Sequence, residues 1–192
     1  MRRREDDAAA PSSVNDRLPY QDPRLVRLRQ LGRTVQIGLV SCGMRKRPGV
    51  HRADELYTGR LFNCALGYSL EHDDETYILS ALHGLLRLHD RVAAYDVSLF
   101  DRRPDERALW GGGIVFHLQT LFPSNLSIRF VLLAGAAYVQ PIVAAARSAR
   151  VPSWSFEDPL AHLGLFDRIR WLRRSGSRAG AQPRARDPPG RS

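Results

Sequence analysis

The chain has 192 residues, with 29 Lys+Arg against 20 Asp+Glu, a formal charge of +9 and an isoelectric point near 10.5. That length gives one domain plus tails, and the charge favours a polyanionic partner, nucleic acid ahead of an anionic membrane, although GC-rich codon usage also raises arginine. Two cysteines, Cys42 and Cys64, are too few for a disulfide framework or a four-ligand zinc site and fit a reduced, cytoplasmic protein; no apolar run approaches the roughly 20 residues of a membrane span, and the opening MRRREDD has no apolar segment behind it, unlike a secretory signal.

Taken in order, residues 1–32 read as mostly disordered with a short leading helix over Pro23–Leu31. Residues 33–174 read as the folded domain, and 175–192 as a disordered basic tail able to hold phosphate by charge. Val35 to Val40 is a buried strand running into the turn Ser41-Cys-Gly-Met-Arg-Lys46. A short apolar run ending in small residues suits a parallel strand whose carboxyl end opens into a site. Ala53 to Leu70 carries Ala53, Tyr57, Leu61, Cys64, Ala65 and Tyr68 at helical spacing. Tyr77–Ala81 is a second strand ending in His83-Gly84, and Tyr95-Asp96-Val97-Ser98 falls in a loop. Pro104 begins a helix with Asp105 and Glu106 at its positive end. It reaches about Phe122, with Gly111–Gly113 weakening or breaking it. Ile128 to Gly135 is the third and most apolar strand, and Ala136 to about Ala149 the next helix. Val151–Phe156 is a short last strand. Asp158-Pro159 caps a final helix with Leu160, Leu163, Phe166, Ile169 and Leu172 inward.

Strands alternating with helices predict an α/β fold, a three-layer α/β/α sandwich with a central mostly parallel sheet. Right-handed crossovers place Ser41–Lys46, Ser80–Gly84 and Gly135–Tyr138 at one edge of that sheet. There, the amides of Cys42 and Gly43 could grip a base edge or a phosphate, with Lys46 pairing a charge. The bland alternative is a tight turn with a buried cysteine and a surface lysine. The GxxxxGK[ST] spacing of a P-loop is absent. No histidine pairs with Cys42 in a nucleophile motif, so a small buried hydrophobe suits it better. His83 is a candidate general acid or anion ligand, or else a capping or core histidine. Asp96 could activate water or stabilise a developing cation, or else form a turn. Tyr95 and Tyr138 offer faces for stacking a base, or lids on the core. Tyr57 suits the core. Arg45 and Arg60 are candidates for phosphate contacts.

The motifs CGMRK, DELYTGRLF, YILSALHGLL, AYDVSL and VLLAGAAYVQPI together resemble a family of small bacterial and phage domains of uncharacterised role, over about Ile37 to Leu172. More distantly, the Cys-containing first turn, the Ser-x-x-Gly-Leu second strand end and the Tyr-Asp loop are similar to the glycosylase-like domain of archaeosine synthases. That domain in turn resembles the uracil-DNA glycosylase superfamily. The resemblance implies a uracil-DNA-glycosylase-like sandwich with one pocket at the three strand ends. The water-activating turn residue and the His-Pro-Ser type loop of uracil-DNA glycosylases have no recognisable counterpart, so only the location carries over.

The function so implied is a DNA glycosylase that flips a modified base and hydrolyses its N-glycosidic bond, leaving an abasic site. Its role would be repair or antiviral defence against phage with altered DNA. DNA is the expected partner, with no membrane and no obligate protein partner, and no metal or organic cofactor is required. Asp96 and His83 are the expected catalytic pair. Asp96 would stabilise the sugar cation or orient water, and His83 or Lys46 would balance charge on the departing base. Tyr95 or Tyr138 would stack on the base, while Cys42, Gly43 and Ser80 would read its edge. The alternatives are a nucleotide- or nucleic-acid-binding module without catalysis, and base exchange on RNA.

Overall fold

The computed structural model describes residues 22–176; the disorder expected for 1–21 and 177–192 lies outside them, whereas Ser175 and Gly176, expected in the disordered tail, end the last helix. The elements run α1 (Pro23–Gln30), β1 (Val35–Ser41), β2 (Val50–Arg52), α2 (Ala53–Leu56), α3 (Arg60–His72), β3 (Glu75–Ser80), β4 (Gly84–Arg87), β5 (Arg91–Ala93), α4 (Pro104–Leu121), β6 (Ile128–Leu133), α5 (Ala136–Ala149), β7 (Trp154–Glu157) and α6 (Leu165–Gly176). Five strands form one sheet in the order β4-β3-β1-β6-β7. β1 pairs in parallel with β3 and β6, and β6 with β7; only the edge strand β4 is antiparallel. β2 and β5 form a separate two-stranded ribbon.

β1 is central because its apolar residues alternate between two buried faces, as a strand covered on both sides requires. Ile37 and Leu39 join Phe130 and Leu132 of β6 under α1, α4 and α5, where Leu25, Leu118 and Ile142 complete one core. Val40, Ile78, Val131 and Leu133 face the other way, onto Phe62 and Ala65 of α3 and Leu172 of α6. Helices therefore cover both faces of the sheet, as expected.

Several elements depart from the sequence pattern. The helix expected over Ala53–Leu70 is two helices, α2 and α3. The chain is extended at Tyr57, where Lys46 and Tyr57 form an antiparallel bridge. The stretch after His83 turns straight back as β4, paired through Ser80–Gly84 to Tyr77–Arg87. Helix α4 runs unbroken through its three glycines. A Cβ on Gly111 would lie 2.5 Å from the Pro141 carbonyl group. The glycine thus allows the α4 and α5 backbones to touch, and that packing outweighs its poor helix propensity. The last helix starts only at Leu165, because a turn occupies the residues after Asp158. Within it, Phe166 is 79% exposed rather than inward as expected, because six residues from the buried Leu172 place it about 120° around the helix.

Helix α3 lies closest to β1 at Gly38, above a buried polar cluster. Ser69 Oγ donates to Asp73 Oδ2 at 2.6 Å and lies 2.9 Å from Thr76 Oγ1. Gln36 Nε2 donates to Asp73 Oδ1 at 2.8 Å. Burial raises the Asp73 carboxyl above its ordinary value of 3.8, against the opposing pull of the Ser69 and Gln36 hydrogen bonds. The folded pKa then exceeds the unfolded one, so folding favours the protonated form. Stability owed to this group is complete below pH 3.8 and is lost as pH rises through the raised folded value. We expect urea midpoints of the wild type to fall relative to those of Asp73→Asn as pH is raised over that window; parallel curves would contradict the assignment.

Candidate functional site

The chain leaves β1 for β3 on one side and later crosses to β6 on the other. The carboxyl ends of β1 and β6 thus flank a topological switch point, the usual location of a ligand crevice in an open α/β sheet. A cavity of about 580 Å³ opens there. Its walls come from the turn after β1 (Ser41–Lys46), the start of α3 (Gly59–Phe62 and Ala65), the Val97–Phe100 segment, the β6–α5 junction and the first turns of α6.

Four cations line it, Arg45, Lys46, Arg60 and Arg168, and no lining residue is acidic. Helices α3 and α5 both begin at its edge, on Gly59 and Gly135, with no capping side chain. Their first amide groups add partial positive charge to the same space. Arg168 is fixed rather than loose. Its Nε donates to the Leu163 carbonyl at 2.8 Å and its Nη1 to the Ala134 carbonyl at 3.4 Å. Its guanidinium and the Phe100 ring flank Gly135 at similar distance.

The turn after β1 is held by short antiparallel pairing. The Arg47 amide donates to the Leu56 carbonyl, and the Thr58 amide to the Arg45 carbonyl. Lys46 is thereby set against two rings, its Nζ 4.3 Å from the Tyr95 centroid and 5.9 Å from that of Tyr57. Cation–π attraction supports this placement.

Beneath the cavity runs a chain of hydroxyls. Ser80 Oγ accepts from the His83 amide at 2.9 Å and lies 2.8 Å from the Tyr95 hydroxyl, which lies 3.0 Å from that of Tyr57. Cys42 Sγ lies 3.2 Å from the Tyr138 hydroxyl. Burial pushes the phenols of Tyr57, Tyr95 and Tyr138 up, so all three stay protonated. Trp110 Nε1 donates to the Ser80 carbonyl, and its ring stands edge-on to Tyr138 at 5.4 Å.

Of the residues singled out from sequence, Cys42, Gly43, Arg45, Lys46, Arg60 and Tyr138 meet at the cavity. Four do not. Ser80 is fully buried, and its oxygen is engaged by two backbone amides and Tyr95, so it positions Tyr95 rather than a base. The Tyr95 face carries Lys46 and is not an open stacking surface. His83 is exposed beyond Tyr95, edge-on to its ring at 5.3 Å. Asp96 is exposed, directly before the lining residues Val97 and Ser98. The Cys42 amide also serves differently from expectation: it donates to the Leu79 carbonyl and extends the sheet. Arg168 and Phe100 were not singled out from sequence; no local motif marks them, and only the return of α6 and the 3-10 turn over Leu99–Asp101 brings them in.

Among the described residues, no helix is long and apolar enough to cross a membrane, and no group of three His, Cys, Asp or Glu side chains comes together in a way that could hold a metal ion. A family profile described as "Family of unknown function (DUF6884)" matches residues 37–174, from β1 through most of α6. No curated protein matches the chain.

Proposed function

The chain belongs to this family of unknown function, and from its cavity we propose that it is an N-glycosidase with a uracil-DNA-glycosylase-like sandwich, acting on a base extruded from DNA. The supporting observation is the cavity of about 580 Å³ lined by four cations. Its volume falls in the range of small-ligand sites, roughly 300–1,000 Å³. Its charge suits the phosphates that enter with an extruded nucleotide. Cys42 and Tyr138 present a thiol and a phenol to the base edge, with Phe62 and Phe100 as apolar walls.

In this reaction the bond between C1′ and the base nitrogen breaks, and its electron pair leaves with the base. Positive charge develops on the sugar. Water adds to C1′ and gives one proton to the Asp96 carboxylate, while the base nitrogen takes a proton from solvent. Lys46 offsets negative charge on the departing base.

The test is incubation with unmodified, uracil-containing and hypermodified phage DNA, followed by measurement of abasic sites. Abasic sites on the modified DNA are expected; none on any substrate would overturn the proposal. The lack of an acidic lining residue favours one alternative, binding of a nucleotide unit without cleavage. Tight, salt-dependent binding with no base released would establish that instead. On either account Arg168→Ala removes a held cation from the cavity. We expect nucleotide affinity to fall by roughly thirtyfold, the scale of one charge-assisted hydrogen-bonded contact, measured by calorimetric titration; an unchanged affinity would place the ligand elsewhere.

A further inference from the structure

Beside the cavity, helix α6 carries a second feature. A groove of about 1,110 Å³ runs along α6, walled by Arg60 at the start of α3 and by Phe166, Ile169, Arg170, Arg173 and Arg174. Its one acidic wall residue, Asp167, is paired with Arg170 at 3.3 Å. The groove and the cavity share Arg60 and Ile169 as wall residues, so they adjoin. Phe166 stands in this basic groove at 79% exposure. An exposed aromatic ring among cations is the arrangement that binds single-stranded nucleic acid: cations follow the phosphates, and the ring stacks on an unpaired base.

We propose that the α6 groove binds single-stranded DNA, stacking an unpaired base on Phe166 and running the strand's phosphates along Arg60, Arg173 and Arg174 toward the cavity. The inference rests on the glycosidase reading for the direction of the strand, and names its substrate as unpaired rather than duplex DNA. Unpaired DNA also removes most of the unstacking cost that extrusion from a duplex imposes. A lipid surface fits less well, because the exposed apolar residues of α6, Leu165 and Phe166, are adjacent in sequence and form no stripe along the helix.

The experiment measures binding of a fluorescent single-stranded oligothymidine, a duplex of equal length, and vesicles rich in phosphatidylserine. The full chain is compared with Phe166→Ala and with the double variant Arg173→Ala, Arg174→Ala. The single strand is expected to bind more tightly than the duplex. Phe166→Ala should weaken single-strand binding by about tenfold and leave duplex binding unchanged. The arginine pair should flatten the log–log salt slope by about 1.4, near 0.7 per phosphate contact on a single strand. Wild-type single-strand affinity and slope in both variants would overturn the inference, as would binding to vesicles but not to the oligonucleotide. Base release is not the readout. Abasic-site formation that persists in both variants with unchanged binding would sink the groove and leave the glycosidase standing. Strand binding through Phe166 with no base released would do the reverse.

Discussion

Gly38→Ala is expected to abolish stable folding. A Cβ there would overlap Ser69 Oγ and Asp73 Oδ2 and lie 3.0 Å from Ser69 Cβ. Neither obstacle is the free end of a flexible side chain. Ser69 is fully buried and bonded to both Asp73 and Thr76, while Asp73 is fixed by Ser69 and Gln36. Making room means moving α3 off the central strand or breaking these bonds. Overpacking a core costs about 1–3 kcal/mol, and each buried group left without its partner about 1–3 kcal/mol more. With Ser69 and Asp73 each losing a partner the sum, about 3–9 kcal/mol, is comparable to the whole stability of a typical domain, about 5–15 kcal/mol. Urea unfolding followed by circular dichroism reads it directly: a midpoint near zero, or an insoluble product, is expected. A wild-type midpoint would mean that α3 does not rest on β1 as described.

Asp96→Asn carries the largest expected effect on activity. The proposed hydrolysis needs a carboxylate, and none lines the cavity. Asp96 stands on the Tyr95–Phe100 stretch, one residue before the wall that Val97 and Ser98 supply. It is exposed and makes no hydrogen bond or ion pair with another described residue. Asparagine keeps its shape and removes its charge and basicity. Loss of a general base typically lowers rate by 10²–10⁴-fold, so base release should fall by about that factor with affinity nearly kept. A drop in affinity at constant rate would make Asp96 a binding group, and full activity would strip it of any role in the chemistry. His83→Ala, by contrast, alters a residue outside the cavity and is expected to change rate severalfold at most.

The sheet was legible where the sequence wrote it as long apolar runs. The strands at Val35, Tyr77 and Ile128 and the helices from Pro104 and Ala136 sit where periodicity puts them. The short pieces were not. β2 and β5 have three residues each and β4 has four, too few for alternation to stand out. The break between α2 and α3 was hidden because helical spacing continues across it, although Tyr57 belongs to a bridge with Lys46. The site divides in the same way. Residues just past the ends of parallel strands, Cys42 to Lys46 and Tyr138, were findable from topology alone. Arg168 depends on a helix 126 positions further along the chain than Cys42, and nothing near it in sequence tells of the cavity. Ser80 was misjudged because a strand-end serine looks available until its neighbours' amides are counted.

The lacing of residues 45–47 to 56–58 makes the Arg45–Lys46 shoulder and the Arg60 shoulder a single stiff jaw. The facing jaw, Val97 to Phe100, is tied by hydrogen bonds only within its own vicinity among the described residues, and is anchored below by the buried Leu99 and the half-buried Val97. Dilation of the mouth for a bulky guest therefore falls on that side, and Asp96 travels with it. The width of the opening and the distance from the carboxylate to the guest are then one mechanical variable, so on the glycosidase reading a guest of the wrong girth meets a misaligned carboxylate even when it fits inside.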